Sequence, residues 1–187
     1  MTDPTKPKNN RRSAIAAIVA GALAVLTPLG VGIASFLTPL FKTKKSPKVR
    51  VALLSQVPDD GMPRSFPVVA DRQDAWTGYE AQRIGAVYLV RNPGEAEPIA
   101  FTAKCPHAGC LVGYTPGDTV FKCPCHTSSF NLDGTRVRGD EEVSPRGMDT
   151  LPVELKKLSG DGDIEITEIH VEYIDYQTGH AEKHSTA

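Results

Sequence analysis

The chain has 187 residues, a formal net charge of −1, and 40% hydrophobic against 23% charged residues. That length accommodates one compact domain plus an appendage, and the near-neutral charge gives no reason to expect a nucleic-acid partner. All four cysteines lie between positions 105 and 125, so thiol chemistry is concentrated in one place.

Residues 1–12 are polar and carry Lys6, Lys8, Arg11 and Arg12, which fits a cytoplasmic N-terminus. Residues 13–41 contain no ionisable side chain and exceed the roughly 20 residues a helix needs to cross a bilayer. They are read as one transmembrane anchor. Pro28, Gly21, Gly30 and Gly32 would break a soluble helix but are tolerated in membrane spans. A cleaved secretory signal is the competing reading, but its apolar region is usually only about 7 to 15 residues long. Arg11-Arg12 is compatible with a twin-arginine export signal, although Asn10 and Ser13-Ala14-Ile15 do not complete that motif. Lys42, Lys44, Lys45, Lys48 and Arg50 follow the span, so the distribution of basic residues does not fix its orientation. Residues 42–48, with Ser46-Pro47, read as a linker.

From Val49 the chain turns to short Val, Ile, Tyr and Leu runs punctuated by Gly, Pro and Asp, the signature of a small antiparallel β domain. Strands are expected at Val49–Leu54, Ala86–Arg91 and Ile99–Ala103, followed by Val120–Lys122. No long amphipathic helix is visible.

Two boxes then hold every cysteine: Cys105-Pro106-His107-Ala108-Gly109-Cys110 and Cys123-Pro124-Cys125-His126-Thr127-Ser128. Each offers a Cys-His couple and a spare Cys. A cluster with two Cys on one iron and two His on the other needs that inventory, whereas all-cysteine clusters need four thiolates. A structural zinc ion would take four of the same six groups, but such sites favour paired cysteines at C-x2-C or C-x4-C spacing. Here the leading pairs are C-x-H and C-x-C-H.

The pattern C-x-H-x15-C-x2-H resembles the Rieske [2Fe-2S] signature. The resemblance is specific over residues 100–145 and looser outside. It implies one [2Fe-2S] cluster per chain, with Cys105, His107, Cys123 and His126 as ligands and a disulfide between Cys110 and Cys125. It also implies that Ser128 donates a hydrogen bond to the cluster. High-potential members supply a second hydroxyl from a Tyr, and Phe130 occupies that position here. The missing donor predicts a lower potential, suited to a low-potential quinol such as menaquinol, although Phe130 also fits a plain packing role.

Past the boxes, Phe130-Asn131-Leu132 alternates into Asp133-Gly134, a hairpin turn signal. Ser144-Pro145 falls where the family has a proline-bearing loop over the cluster, but Arg146-Gly147-Met148-Asp149 departs from its usual form. Asp140, Glu141 and Glu142 beside it favour either a basic partner or simple solvation. Leu151–Lys156, Ile164–Ile169 and Val171–Tyr176 are expected strands, with Gly160-Asp161-Gly162-Asp163 joining two of them. His170 lies in a strand run and reads as structural. Residues 177–187 are expected to fray as a flexible tail, leaving His180 and His184 as solvated surface histidines.

The fold implied is all-β: a Rieske-type antiparallel sandwich over residues 49–176, with an inserted cluster-binding subdomain at about 100–145, preceded by one N-terminal transmembrane helix. Neutral imidazoles in place of two thiolates raise the reduction potential, so such a cluster can accept an electron from quinol. A metal-bound imidazole keeps its second nitrogen for a proton, so His107 and His126 are the residues expected to couple proton to electron. A disulfide favours an oxidising compartment. The resemblance thus implies an electron-transfer subunit of a bacterial quinol:cytochrome c oxidoreductase, not catalytic alone. Its head would face the outer side of the cytoplasmic membrane, and its partners would be cytochrome b, a c-type cytochrome and quinol. Alternatives are the Rieske subunit of an arsenite-oxidase-like molybdoenzyme or a Rieske ferredoxin of an oxygenase.

Overall fold

The structure is a computed structural model that describes residues 11–41, 46–73, 76–139, 142–159 and 165–186. The N-terminal ten residues, most of the linker, Asp140, Glu141 and the Gly160–Asp163 turn lie outside the described residues. The chain divides into two units, residues 1–43 and 44–187.

The first unit is a single helix, α1 (Arg11–Leu37), followed by a 3-10 turn at Thr38–Phe41. At 1.5 Å per residue α1 is about 40 Å long, more than a hydrocarbon core requires. Its most apolar 18-residue stretch has a mean hydropathy of 2.3, and no residue of the helix is buried against protein. Pro28 sits inside it and removes the N–H that would bond to the Ala24 carbonyl. The α-helix stops at Leu37, short of the expected Phe41, because Pro39 disfavours helical backbone at Thr38 and offers no N–H of its own.

The second unit is built from nine described strands. β1 (Lys48–Leu53), β8 (Val153–Ser159) and β9 (Glu165–Glu172) form one antiparallel sheet in the order β1-β9-β8. β2 (Arg64–Gln73), β3 (Gly78–Val90), β4 (Ile99–Thr102) and β7 (Thr150–Leu151) form a second in that order, and β5 (Val120–Lys122) pairs with β6 (Ser129–Asn131) in a third.

β3 explains how the unit holds together. Its last residues, Ala86 to Val90, are all buried, and alternate side chains go to opposite faces. Val87 and Leu89 join Ala52, Val68, Ala100, Leu151, Ile169 and Val171 in the core between the two larger sheets. Ala86, Tyr88 and Val90 join Phe101, Phe121, Phe130 and Met148 on the other side. One strand therefore roofs the β base and floors the subdomain that carries the boxes.

One strand stands where none is expected, and two expectations are modified. β2 carries Pro67 inside it, a residue that demotes a sequence run as a strand, yet β2 is an edge strand and tolerates it. β3 begins eight residues before Ala86, in a polar and exposed stretch that pairs with β2 through a register shift. The two expected strands on either side of His170 are one, because His170 pairs with Arg50 of β1 and Glu154 of β8 while its imidazole meets the Glu168 carboxylate at 2.8 Å.

The segment from Gln177 is not a frayed tail. Gln177 N–H donates to the His184 carbonyl at 2.8 Å, Thr186 N–H to Asp175 at 2.8 Å, and Tyr176 bridges Ser185. These bonds fold the end of the chain back on itself, a pairing that no hydrophobic pattern announces.

Candidate metal centre

The first box follows β4 as a tight loop. Cys105 N–H donates to the Cys110 carbonyl at 2.8 Å and Gly109 N–H to the Cys105 carbonyl at 2.9 Å, while Lys104 bridges Leu111. Gly109 closes the turn at φ +81°, where a side chain would be strained. The second box is the loop of the β5-β6 hairpin, closed by Cys123 N–H to the Ser128 carbonyl at 2.9 Å. The loops are joined at their base by reciprocal bonds between Gly113 and Lys122, at 2.7 and 2.9 Å. At their tips Cys110 and Cys125 form a disulfide with Cα atoms 6.5 Å apart.

The two remaining cysteines are free and buried, Cys105 at 1% and Cys123 at 5% exposure. Burial pushes the Cys105 thiol up to about 11; the backbone N–H of His107 pulls the other way, and the neighbouring Cys123 thiol pushes it further up. A dry pair of touching thiols is costly to ionise unless a cation joins them, and a metal ion deprotonates such a group outright. The His107 and Ala108 N–H groups reach the Cys105 sulfur, as donors to a thiolate ligand would.

His107 is half-buried and His126 exposed, yet their ring centroids are only 4.8 Å apart and the rings are steeply inclined at 76°. The site thus pairs sulfur on its buried side with imidazole toward the surface. The Cys123 sulfur also lies within 4.8 Å of the Cys110 and Cys125 sulfurs, but disulfide sulfurs have no thiolate to offer, so those two cannot complete a metal shell. Ser128 contributes an independent sign that something binds here. Its hydroxyl oxygen is fully buried and has no hydrogen-bond partner, a state that costs about 1–3 kcal/mol unless an acceptor is supplied.

Phe130 is fully buried among Phe121, Phe101 and Tyr88. Gly134, at φ +81°, ends the hairpin beyond it, and a Cβ there would meet the Phe101 ring at 2.4 Å. The loop Ser144–Asp149 lies against that turn: Met148 N–H donates to the Gly134 carbonyl at 2.8 Å. Glu142, read as part of an acidic patch, instead accepts from the N–H groups of Ser129 and Ser144 at 3.1 and 2.7 Å. It ties the hairpin to this loop, a use that sequence could not separate from solvation. Sequence reasoning passed over Arg146 and Asp149 as mere departures from a motif. Both are buried and form a two-bond ion pair at 2.8 and 2.7 Å. A charged residue three positions from its opposite inside a loop carries no periodic signal.

A two-loop iron–sulfur domain on an antiparallel β base is the class that this fold and donor set define. Residues 49–153 match the Rieske [2Fe-2S] domain family, and the chain belongs to that family. Its cofactor is a [2Fe-2S] cluster, which the buried thiols, the clustered imidazoles and the unpartnered Ser128 hydroxyl fit.

Among curated relatives, the cytochrome b6-f complex iron-sulfur subunit of Synechococcus sp. (strain JA-3-3Ab) is 36% identical over 76 residues, 41% of this chain. The menaquinol:cytochrome c reductase iron-sulfur subunit of Bacillus subtilis (strain 168) is 29% identical over 124 residues, 64% of this chain and 70% of that one. The chain spans 40% of the Synechococcus subunit's length. The cyanobacterial plasma membrane Rieske protein of Synechocystis PCC 6803 is 20% identical with a TM-score of 0.39, over 68% of this chain and 99% of that one.

Proposed function

We propose that the chain is the membrane-anchored electron-transfer subunit of a quinol:cytochrome c oxidoreductase of the cytochrome bc type. Cys105, Cys123, His107 and His126 would hold its cluster, and the observation that supports this reading is that the two stapled loops carry two free buried thiols and two imidazole rings with centroids 4.8 Å apart. Bound there, the [2Fe-2S] cluster supplies a one-electron carrier of raised potential.

The chain's residues supply the rest. The buried thiols keep water from the sulfur side, and the Cys110–Cys125 disulfide holds the loops together. His126 is open to a partner, and the ring nitrogen that it or His107 keeps free holds or releases a proton as quinol is oxidised. The buried, unpartnered Ser128 hydroxyl would donate a hydrogen bond to the cluster. Phe130 offers no such donor, which supports menaquinol as the reductant.

The apolar helix α1 and the disulfide favour a single-pass protein with its head on the oxidising, outer face of a bacterial membrane. Partners follow from that role: a cytochrome b subunit, a c-type cytochrome and quinol in the bilayer. Purification in mild detergent tests the assignment. Recovery with b- and c-type haem, and reduction of the cluster by a menaquinol analogue, is expected. Recovery with a molybdenum subunit and no haem would contradict it.

A further inference from the structure

The end of the chain is ordered without a core of its own. Residues 179–186 are exposed, so hydrophobic burial does not hold them. Polar bonds do: Lys183 Nζ donates to Thr150 Oγ1 at 3.1 Å, and the others that leave the segment converge on two places.

One is Arg146. Its Nε and Nη2 pair with the Asp149 carboxylate, and its further contacts reach main-chain carbonyls of the C-terminal segment: Nη2 donates to Gln177 at 2.8 Å, and Nη1 to His180 and, at 3.5 Å, to Glu182. The other place is the first ligand loop. Gly179 N–H donates to the Pro106 carbonyl at 2.8 Å, between Cys105 and His107. The Thr178 methyl lies 3.6 Å from where a Cβ on Gly109 would stand. Lys104, immediately before the loop, holds the root of the segment through Asp175 at 2.6 Å and the Tyr176 carbonyl at 3.0 Å. Gly179 sits at φ +79°, which turns its N–H onto the loop at no steric cost.

We propose that Gln177–Thr186 is a strap that fixes the first ligand loop, and hence the position of His107, and that Arg146 is the positioning residue that anchors it. This rests on the proposed ligand set. Its physical logic is preorganisation: a guanidinium whose charge is satisfied by Asp149 has a rigid fork left over, and each carbonyl it engages removes freedom from the strap. The strap's hydrogen bond to the Pro106 carbonyl reaches the first ligand loop and would give the two ligand loops different supports.

The test uses the full-length cluster-loaded protein in detergent, compared with a chain ending at Tyr176 and with Arg146→Lys, which keeps a charge opposite Asp149 but loses the fork. Both variants should release iron to a chelator about tenfold faster than the parent chain, the size typical of groups that support metal ligands. Pulsed electron paramagnetic resonance should show one of the two histidine nitrogen couplings broadened and the other unchanged. If Arg146→Lys does not fold, the shortened chain carries the test alone, since it removes no residue of either hydrophobic core. Parental iron release and couplings in the shortened chain, or equal broadening of both couplings, would overturn the strap. A shortened chain that behaves as expected beside an unaffected Arg146→Lys would overturn the role of Arg146. A parent chain lacking two nitrogen couplings would overturn the ligand set, and the strap with it.

Discussion

Ser128 and Phe130 are neighbours in sequence with opposite consequences. The Ser128 hydroxyl is buried without a partner, whereas Phe130 brings no donor to an equally buried position. A hydrogen bond toward a cluster stabilises its more negative, reduced form and raises the potential. One such bond is worth about 1 kcal/mol or somewhat more, which for one electron corresponds to tens of millivolts. Phe130→Tyr should therefore raise the midpoint by tens of millivolts in a redox titration, and Ser128→Ala should lower it by a similar amount. An unchanged midpoint in Phe130→Tyr would leave Phe130 as a packing residue only. At this scale the sequence was most legible, because Cys and His at short spacing within rigid boxes are chemical groups whose use depends little on the rest of the fold. Arg146 and Asp149 were illegible for the opposite reason. Their pairing and burial arise only when the Ser144–Asp149 loop meets the end of the chain, and removing one partner of such a pair typically costs about 3–5 kcal/mol. Arg146→Ala should lose stability of that order in chemical denaturation.

The elements divide between those with a period and those without. β4, β5 and the last residues of β3 were readable because their apolar residues are buried. β2 and the first half of β3 were not, since Pro67 interrupts the alternation that turns Phe66 and Val68 inward, and the ribbon beyond, with Arg72 and Glu80, is exposed. The ligand loops depend on the Cys110–Cys125 link, separated by 15 positions, and closing a loop of that size contributes about 3 kcal/mol in the chain-entropy account. Replacing both residues by Ser should cost stability of that order in denaturant titration of the folded head. On the β1-β9-β8 sheet, Glu168 accepts from His170 and Arg50, and these bonds, His170 first, hold its carboxyl below its ordinary value of 4.5. A depressed carboxyl stabilises the fold above its unfolded pKa and ceases to do so as pH falls through the folded one. Stability should accordingly decline with acid below about pH 4.5, and Glu168→Gln should flatten that part of the pH profile measured by thermal unfolding.

Across the whole molecule, an apolar helix and a β head form separate units. A chain beginning at Lys44 should leave the membrane fraction yet keep the cluster's absorption spectrum. Retention in the membrane would show that the head binds lipid or a partner by itself. The apolar helix was legible because a run of that length without an ionisable side chain is displayed in full by one sequence. The folded-back C-terminus was not, since its order comes from main-chain bonds to distant residues.

Two thiols and two imidazoles from two stapled loops would hold one cluster. Pulsed electron paramagnetic resonance of the reduced full-length protein tests it most directly. Couplings from two nitrogens, lost one at a time in His107→Ala and His126→Ala, are the predicted result. A reduced cluster with no nitrogen coupling, or a protein holding zinc and giving no signal, would contradict it.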